Sequence, residues 1–128
     1  MPRTAVVSIV DDDDSLRASM RRLMRSLGYA VETFRSAAEL LDSPRLAEMD
    51  CLIADVHMPA MTGIELYRHL VKTGRAVPTI LITAYPNDID RTAALNEGII
   101  CYLEKPVDQQ DLIRWIDAAL STGEAQPP

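Results

Sequence analysis

The sequence predicts an α/β protein: a doubly wound, mostly parallel sheet of five strands with helices on both faces. Three observations carry that prediction. Five short β-rich runs alternate with five segments whose apolar residues recur at helical spacing. The clearest of the short runs are almost continuously apolar, as strands covered on both faces must be. Four of the five glycines fall where a helix should stop. A length of 128 residues with 48% hydrophobic and 25% charged side chains suits one such domain, and excludes a disordered chain or a disulfide-held miniprotein.

Residues 5–10 form the first strand. Leu16, Met20, Leu23, Met24 and Leu27 make the apolar stripe of a first helix, with Gly28 as its left-handed stop. Ala30–Phe34 is a second, weaker strand, after which Ser36 caps a short helix reaching about Asp42. Glu39 stands at the spacing of a capping box, and Pro44 punctuates the end. Residues 51–54 form the third strand. The loop at 58–63 leads into a helix carrying Ile64, Tyr67, Leu70 and Val71 toward the core and closed by Gly74. Thr79–Thr83 is the fourth strand, Asp88–Asn96 a fourth helix stopped by Gly98, and residues 99–103 the fifth strand. The last helix starts near Asp108, presents Leu112, Ile116 and Leu120 on one face, and ends before Gly123. Residues 1–123 are therefore one domain, and residues 124–128 a tail or the start of a linker.

Parallel strands require crossover connections, and these are right-handed. Five strands so connected take the flavodoxin-like order 2-1-3-4-5, whose ligand crevice lies beyond the carboxyl ends of the strands, where strands one and three diverge. A helix-rich α+β domain is the alternative architecture. Thirteen basic against nineteen acidic residues leave a net charge of -6, which repels phosphate backbones and anionic lipid, so direct nucleic-acid or membrane binding by this chain is not expected. With no apolar run near the ~20 residues that span a bilayer, the expected location is the cytoplasm. Cys51 and Cys101 lie in apolar runs and match neither a CxxC pair nor a zinc pattern. A disulfide between them is not expected, because an intervening strand would hold their strands about 9.6 Å apart.

The residues that leave each strand at its carboxyl end are Asp11 and Asp12, Asp55, Thr83, and Lys105. In the expected order all five share one crevice. Three carboxylates that close repel one another unless a hard divalent ion and the Lys105 ammonium compensate them. Oxygen ligands without Cys or His side chains favour Mg2+ or Mn2+. A metal so held keeps positions open for phosphate oxygens, which makes Asp55 a candidate nucleophile toward phosphorus, with Lys105 and Thr83 placed to meet the charge on the transferring group. Asp13 and Asp14 are read differently, as acids at a helix N-terminus. The side chains of His57 and His69 have no partner ligand three or four residues further on and are read as solvated. No GxGxxG or Walker A run occurs.

In order and spacing, these residues resemble the receiver domain of two-component response regulators, nearest its FixJ-type group. The resemblance rests on Ile9-Val10-Asp11-Asp12-Asp13, on Cys51-Leu52-Ile53-Ala54-Asp55-Val56-His57-Met58-Pro59 with Gly63, on Ile82-Thr83-Ala84 and on Glu104-Lys105-Pro106. It implies that Asp55 accepts phosphate from the phosphohistidine of a sensor histidine kinase. It also implies that Asp12, Asp55 and the main-chain carbonyl of His57 bind Mg2+, with Asp11 acting mainly through water, and that the Lys105-Pro106 bond is cis. Thr83 and Tyr102 would form the switch, altering the face of the fourth helix, fifth strand and fifth helix for partner binding or homodimerisation. Such a domain promotes its own phosphorylation and is not a turnover enzyme. Two other readings are a Mg2+ phosphatase with an aspartyl-phosphate intermediate and a docking domain that is never phosphorylated. Phosphatases of the haloacid dehalogenase type resemble a DxD pattern, and His57 occupies the place of the second Asp. His57 and Tyr85, each two residues past a site residue, are expected at the mouth of the crevice, where they would set the lifetime of the acyl phosphate.

Overall fold

A computed structural model describes residues 4–124. The chain alternates strand and helix throughout: β1 (Val6–Val10), α1 (Asp14–Ser26), β2 (Ala30–Phe34), α2 (Ala37–Leu41), β3 (Cys51–Asp55), α3 (Gly63–Lys72), β4 (Thr79–Thr83), α4 (Asp88–Asn96), β5 (Cys101–Glu104) and α5 (Gln109–Glu124). All four strand pairings are parallel, and the sheet order is β2-β1-β3-β4-β5.

The period-two alternation of strand side chains divides the core into two layers. Val7, Ile9, Ile53, Ile80 and Ile82 face one way and pack with Met20 and Met24 of α1 and Leu112 and Ile116 of α5. Val10, Leu52, Ala54, Leu81 and Tyr102 face the other way, against α2, α3 and α4. Both cysteines are free and buried, and burial pushes each thiol up to about 12, so they behave as small hydrophobes.

Side chains close the helix starts. Asp13 Oδ1 accepts from Leu16 N at 3.1 Å, as expected for an acid at that end. Ser36 accepts from Glu39 N at 3.2 Å, but Glu39 reaches back to Arg35 N instead of the cap residue. The reciprocal capping box is at Thr62 and Glu65, opening α3. Gly28, Gly74 and Gly98 adopt positive φ at the ends of α1, α3 and α4.

Several boundaries differ from the sequence reading. Ile99 N still bonds to Ala94 O and closes α4, so β5 begins at Cys101 instead of 99. Gly63, Leu66, Tyr67 and Leu70 form the buried stripe of α3, while Val71, at the stripe's edge, is 48% exposed. A 3₁₀ turn, Leu46–Glu48, precedes β3. Helix α5 continues through Gly123 to Glu124; one glycine in a last turn costs only about 1 kcal/mol and does not stop a helix already propagating. The rest of the expected tail lies outside the described residues. Among the described residues, no helix is long and apolar enough to cross a membrane.

Candidate functional site

The parallel sheet delivers the ends of β1, β3 and β4 to one edge. Asp11, one residue past β1, is fixed by its own N–H, which donates to Phe34 O, and by Arg17 Nη1, which donates to Asp11 O at 2.7 Å. Asp55 ends β3, and its Oδ1 accepts from His57 N at 3.2 Å. Gly63 packs against the backbone at this point: a Cβ there would lie 2.5 Å from Asp55 O, so only glycine fits without displacing the strand end. Lys105 is held by its N–H, which donates to Thr83 O at 2.7 Å, and the bond to Pro106 is cis.

Carboxylate oxygens of Asp11, Asp12 and Asp55 all lie within 4.8 Å of one another. Asp11 and Asp55 are buried, whereas Asp12 is exposed at the rim. Lys105 Nζ stands 3.0 Å from Asp11 Oδ2 and 3.1 Å from Asp55 Oδ2. Only the contact to Asp55 has hydrogen-bond geometry; Asp11 Oδ2 is buried without a hydrogen-bond donor, and its contact with Lys105 is purely ionic.

Burial raises the Asp11 carboxyl above its ordinary value, against the opposing effects of the Asp13 N–H and Lys105. Burial also opposes the Lys105 charge, but the ionic attraction of Asp11 together with the hydrogen bond and charge of Asp55 outweighs it, and its pKa is raised. One ammonium faces three carboxylates, and one buried oxygen lacks a donor. The donor set is all oxygen, hard and partly open to solvent at Asp12, and so fits a hard divalent cation.

The other sequence-predicted residues do not all reach this cluster. Thr83 is fully buried, and its Oγ1 accepts from Tyr85 N at 3.0 Å. Tyr102 does not reach the carboxylates: it lies in the core layer beneath α4, its ring 5.4 Å from the Arg91 guanidinium. Its buried hydroxyl lies near the Asn87 backbone without forming a proper hydrogen bond. The His57 and Tyr85 rings meet edge to face at 5.7 Å, and both His57 and His69 are exposed. Arg17 on the Asp11 carbonyl and Arg91 on Tyr102 were not legible beforehand, since neither spacing signals a contact.

Known proteins share this arrangement. The family model of the response regulator receiver domain matches residues 7–117. The response regulator protein TodT of Pseudomonas putida is 33% identical over 124 residues, 97% of this chain and 55% of that protein. The transcriptional regulatory protein FixJ of Azorhizobium caulinodans is 33% identical over 126 residues, 98% of this chain and 60% of that protein. The structure of the response regulator StyR superposes with a TM-score of 0.87 at 36% identity, covering 97% of this chain and 63% of that one. The chain thus spans little more than half the length of these curated relatives. With the strand order, the acidic cluster and the matched span in agreement, the chain belongs to the response regulator receiver domains, the phosphoacceptor modules of two-component signalling.

Proposed function

We propose that Asp55 accepts a phosphoryl group from the phosphohistidine of a sensor histidine kinase, in a Mg2+-dependent reaction. The observation that carries this reading is the Asp55 carboxylate itself, set among Asp11 and Asp12 within 4.8 Å and contacted by Lys105 at 3.1 Å. Asp12, Asp55 and the main-chain carbonyl of His57 would hold Mg2+, with Asp11 acting mainly through water. Bound there, the ion supplies positive charge for the phosphoryl oxygens and lowers the repulsion an incoming anion meets.

An Asp55 oxygen attacks phosphorus, the P–N bond breaks, and the donor imidazole leaves with the electron pair. Lys105 then balances negative charge on the transferred group, and the Thr83 hydroxyl moves to donate its O–H to a phosphoryl oxygen, leaving the Tyr85 N–H from which it had accepted. The Tyr102 ring, already buried in the core, then shifts into the space that the Thr83 hydroxyl vacates, and the change reaches the surface of α4, β5 and α5. Ile89, 79% exposed, leaves an apolar side chain on the first turn of α4 for a partner or a second copy. The domain modifies itself and does not turn over a substrate. Its net charge of -6 opposes direct contact with nucleic acid or anionic membrane.

The test is intact mass measurement after incubation with acetyl phosphate and Mg2+. The wild-type chain gains one phosphoryl mass, and Asp55→Asn gains none; an unmodified wild type overturns the reading.

A further inference from the structure

The two ends of α4 are held very differently. At its C-terminal end Ala94 is fully buried, and the Tyr67 hydroxyl donates to Glu97 O at 3.1 Å, satisfying a carbonyl that the helix end leaves without an internal partner. Arg68 adds a two-point contact to the same residue, Nε to Glu97 Oε1 at 2.8 Å and Nη2 to Oε2 at 2.7 Å. Exposed ion pairs hold weakly alone, but this one reinforces a hydrogen bond and a buried anchor on the same turn. Gly98 completes the contact, because a Cβ there would stand 2.7 Å from the Tyr67 hydroxyl.

Among the described residues, the N-terminal end has no such anchor. Residues 84–89 are all exposed. Asn87 caps its own helix, and this end meets the sheet at Tyr102, whose ring lies 5.4 Å from the Arg91 guanidinium and whose hydroxyl lies near the Asn87 backbone. The loop before the helix is attached to the site through Tyr85 N–H on Thr83 Oγ1. Anything that draws the Thr83 hydroxyl away releases the loose end and leaves the clamped end in place.

We infer that Tyr67 and Arg68 are positioning residues that pin α4 at Glu97, so that loss of the Tyr85–Thr83 hydrogen bond swings the helix about that point and does not displace it bodily. The inference rests on the phosphoacceptor reading of Asp55. It assigns to α3, which contributes no site side chain, the fulcrum through which the site moves the surface around Ile89.

Site-resolved amide hydrogen exchange, with and without acetyl phosphate and Mg2+, tests this, with phosphoryl occupancy read from the intact mass of the same samples. In the phosphorylated wild type, amides 85–91 change their exchange rate several-fold while amides 97–99 do not. In Tyr67→Phe and in Arg68→Met the phosphorylation-dependent change spreads into 97–99. A wild type whose two ends respond equally, or variants whose response stays confined to 85–91, overturns the fulcrum while the mass gain leaves the phosphoacceptor reading standing. Absence of the mass gain overturns both.

Discussion

Lys105 and Asp55, fifty positions apart in the chain, meet at 3.1 Å because β5 and β3 end at the same edge of the sheet. The Lys105 ammonium is also the counter-charge for Asp11, 3.0 Å away. Lys105→Met therefore leaves two buried carboxylates facing each other with no cation, at a cost on the order of 3 kcal/mol near neutral pH. Urea unfolding measures the loss, and added Mg2+ is expected to restore part of it. A variant as stable as wild type in the absence of Mg2+ contradicts the ionic role assigned to Lys105.

Asp11 makes stability depend on pH. Burial raises its folded pKa above the ordinary 3.8, so the folded chain holds that proton more tightly than the unfolded chain. Stability contributed through Asp11 is therefore greatest below 3.8 and falls as pH rises through the raised folded value. Asp11→Asn removes the charge that must otherwise be buried and is expected to stabilise the protein at neutral pH, with the gain vanishing in acid. Chemical denaturation of both proteins across the acid range checks the sign.

Binding of Mg2+ to the folded acidic pocket should raise the melting temperature of the wild-type chain. At a concentration a hundred times the dissociation constant the expected stabilisation is about 2.7 kcal/mol. Asp12→Ala, which removes the exposed member of the cluster, should lose most of that shift while its melting temperature without the ion changes little. Equal Mg2+ shifts in both proteins would remove Asp12 from the proposed ligand set.

We propose that Tyr85, 72% exposed and edge to face with His57 at 5.7 Å, flanks the path of water to Asp55. Truncation in Tyr85→Ala opens that path to water, and dephosphorylation should accelerate several-fold with phosphorylation still occurring. Following the decay of phosphorylated protein by mass gives the comparison directly, and an unchanged decay rate removes the gate.

The sheet order and the acidic cluster were legible because continuous apolar runs fix which segments are strands, right-handed crossovers restrict their order, and the residue after each run must emerge at the same edge. Asp11, Asp12, Asp55 and Lys105 needed nothing more. Contacts set by packing across elements were not legible. Val71 and Leu66 differ by five positions on α3, and only the helix's rotation on the sheet decides that Leu66 is buried and Val71 exposed. The hold of Tyr67 and Arg68 on Glu97 spans about thirty residues and has no local signature. Gly63 was visible as part of a motif, but its close approach to Asp55 O emerges only once α3 is docked.

The most direct measurement of the central claim is chemical trapping of the acyl phosphate. Borohydride reduces a phosphorylated aspartate to homoserine, and peptide mapping then locates it. After incubation with acetyl phosphate and Mg2+, conversion is expected at Asp55 alone, abolished in Asp55→Asn. Conversion at Asp11 or Asp12 in place of Asp55, or none in a wild-type chain that has gained phosphoryl mass, contradicts the account.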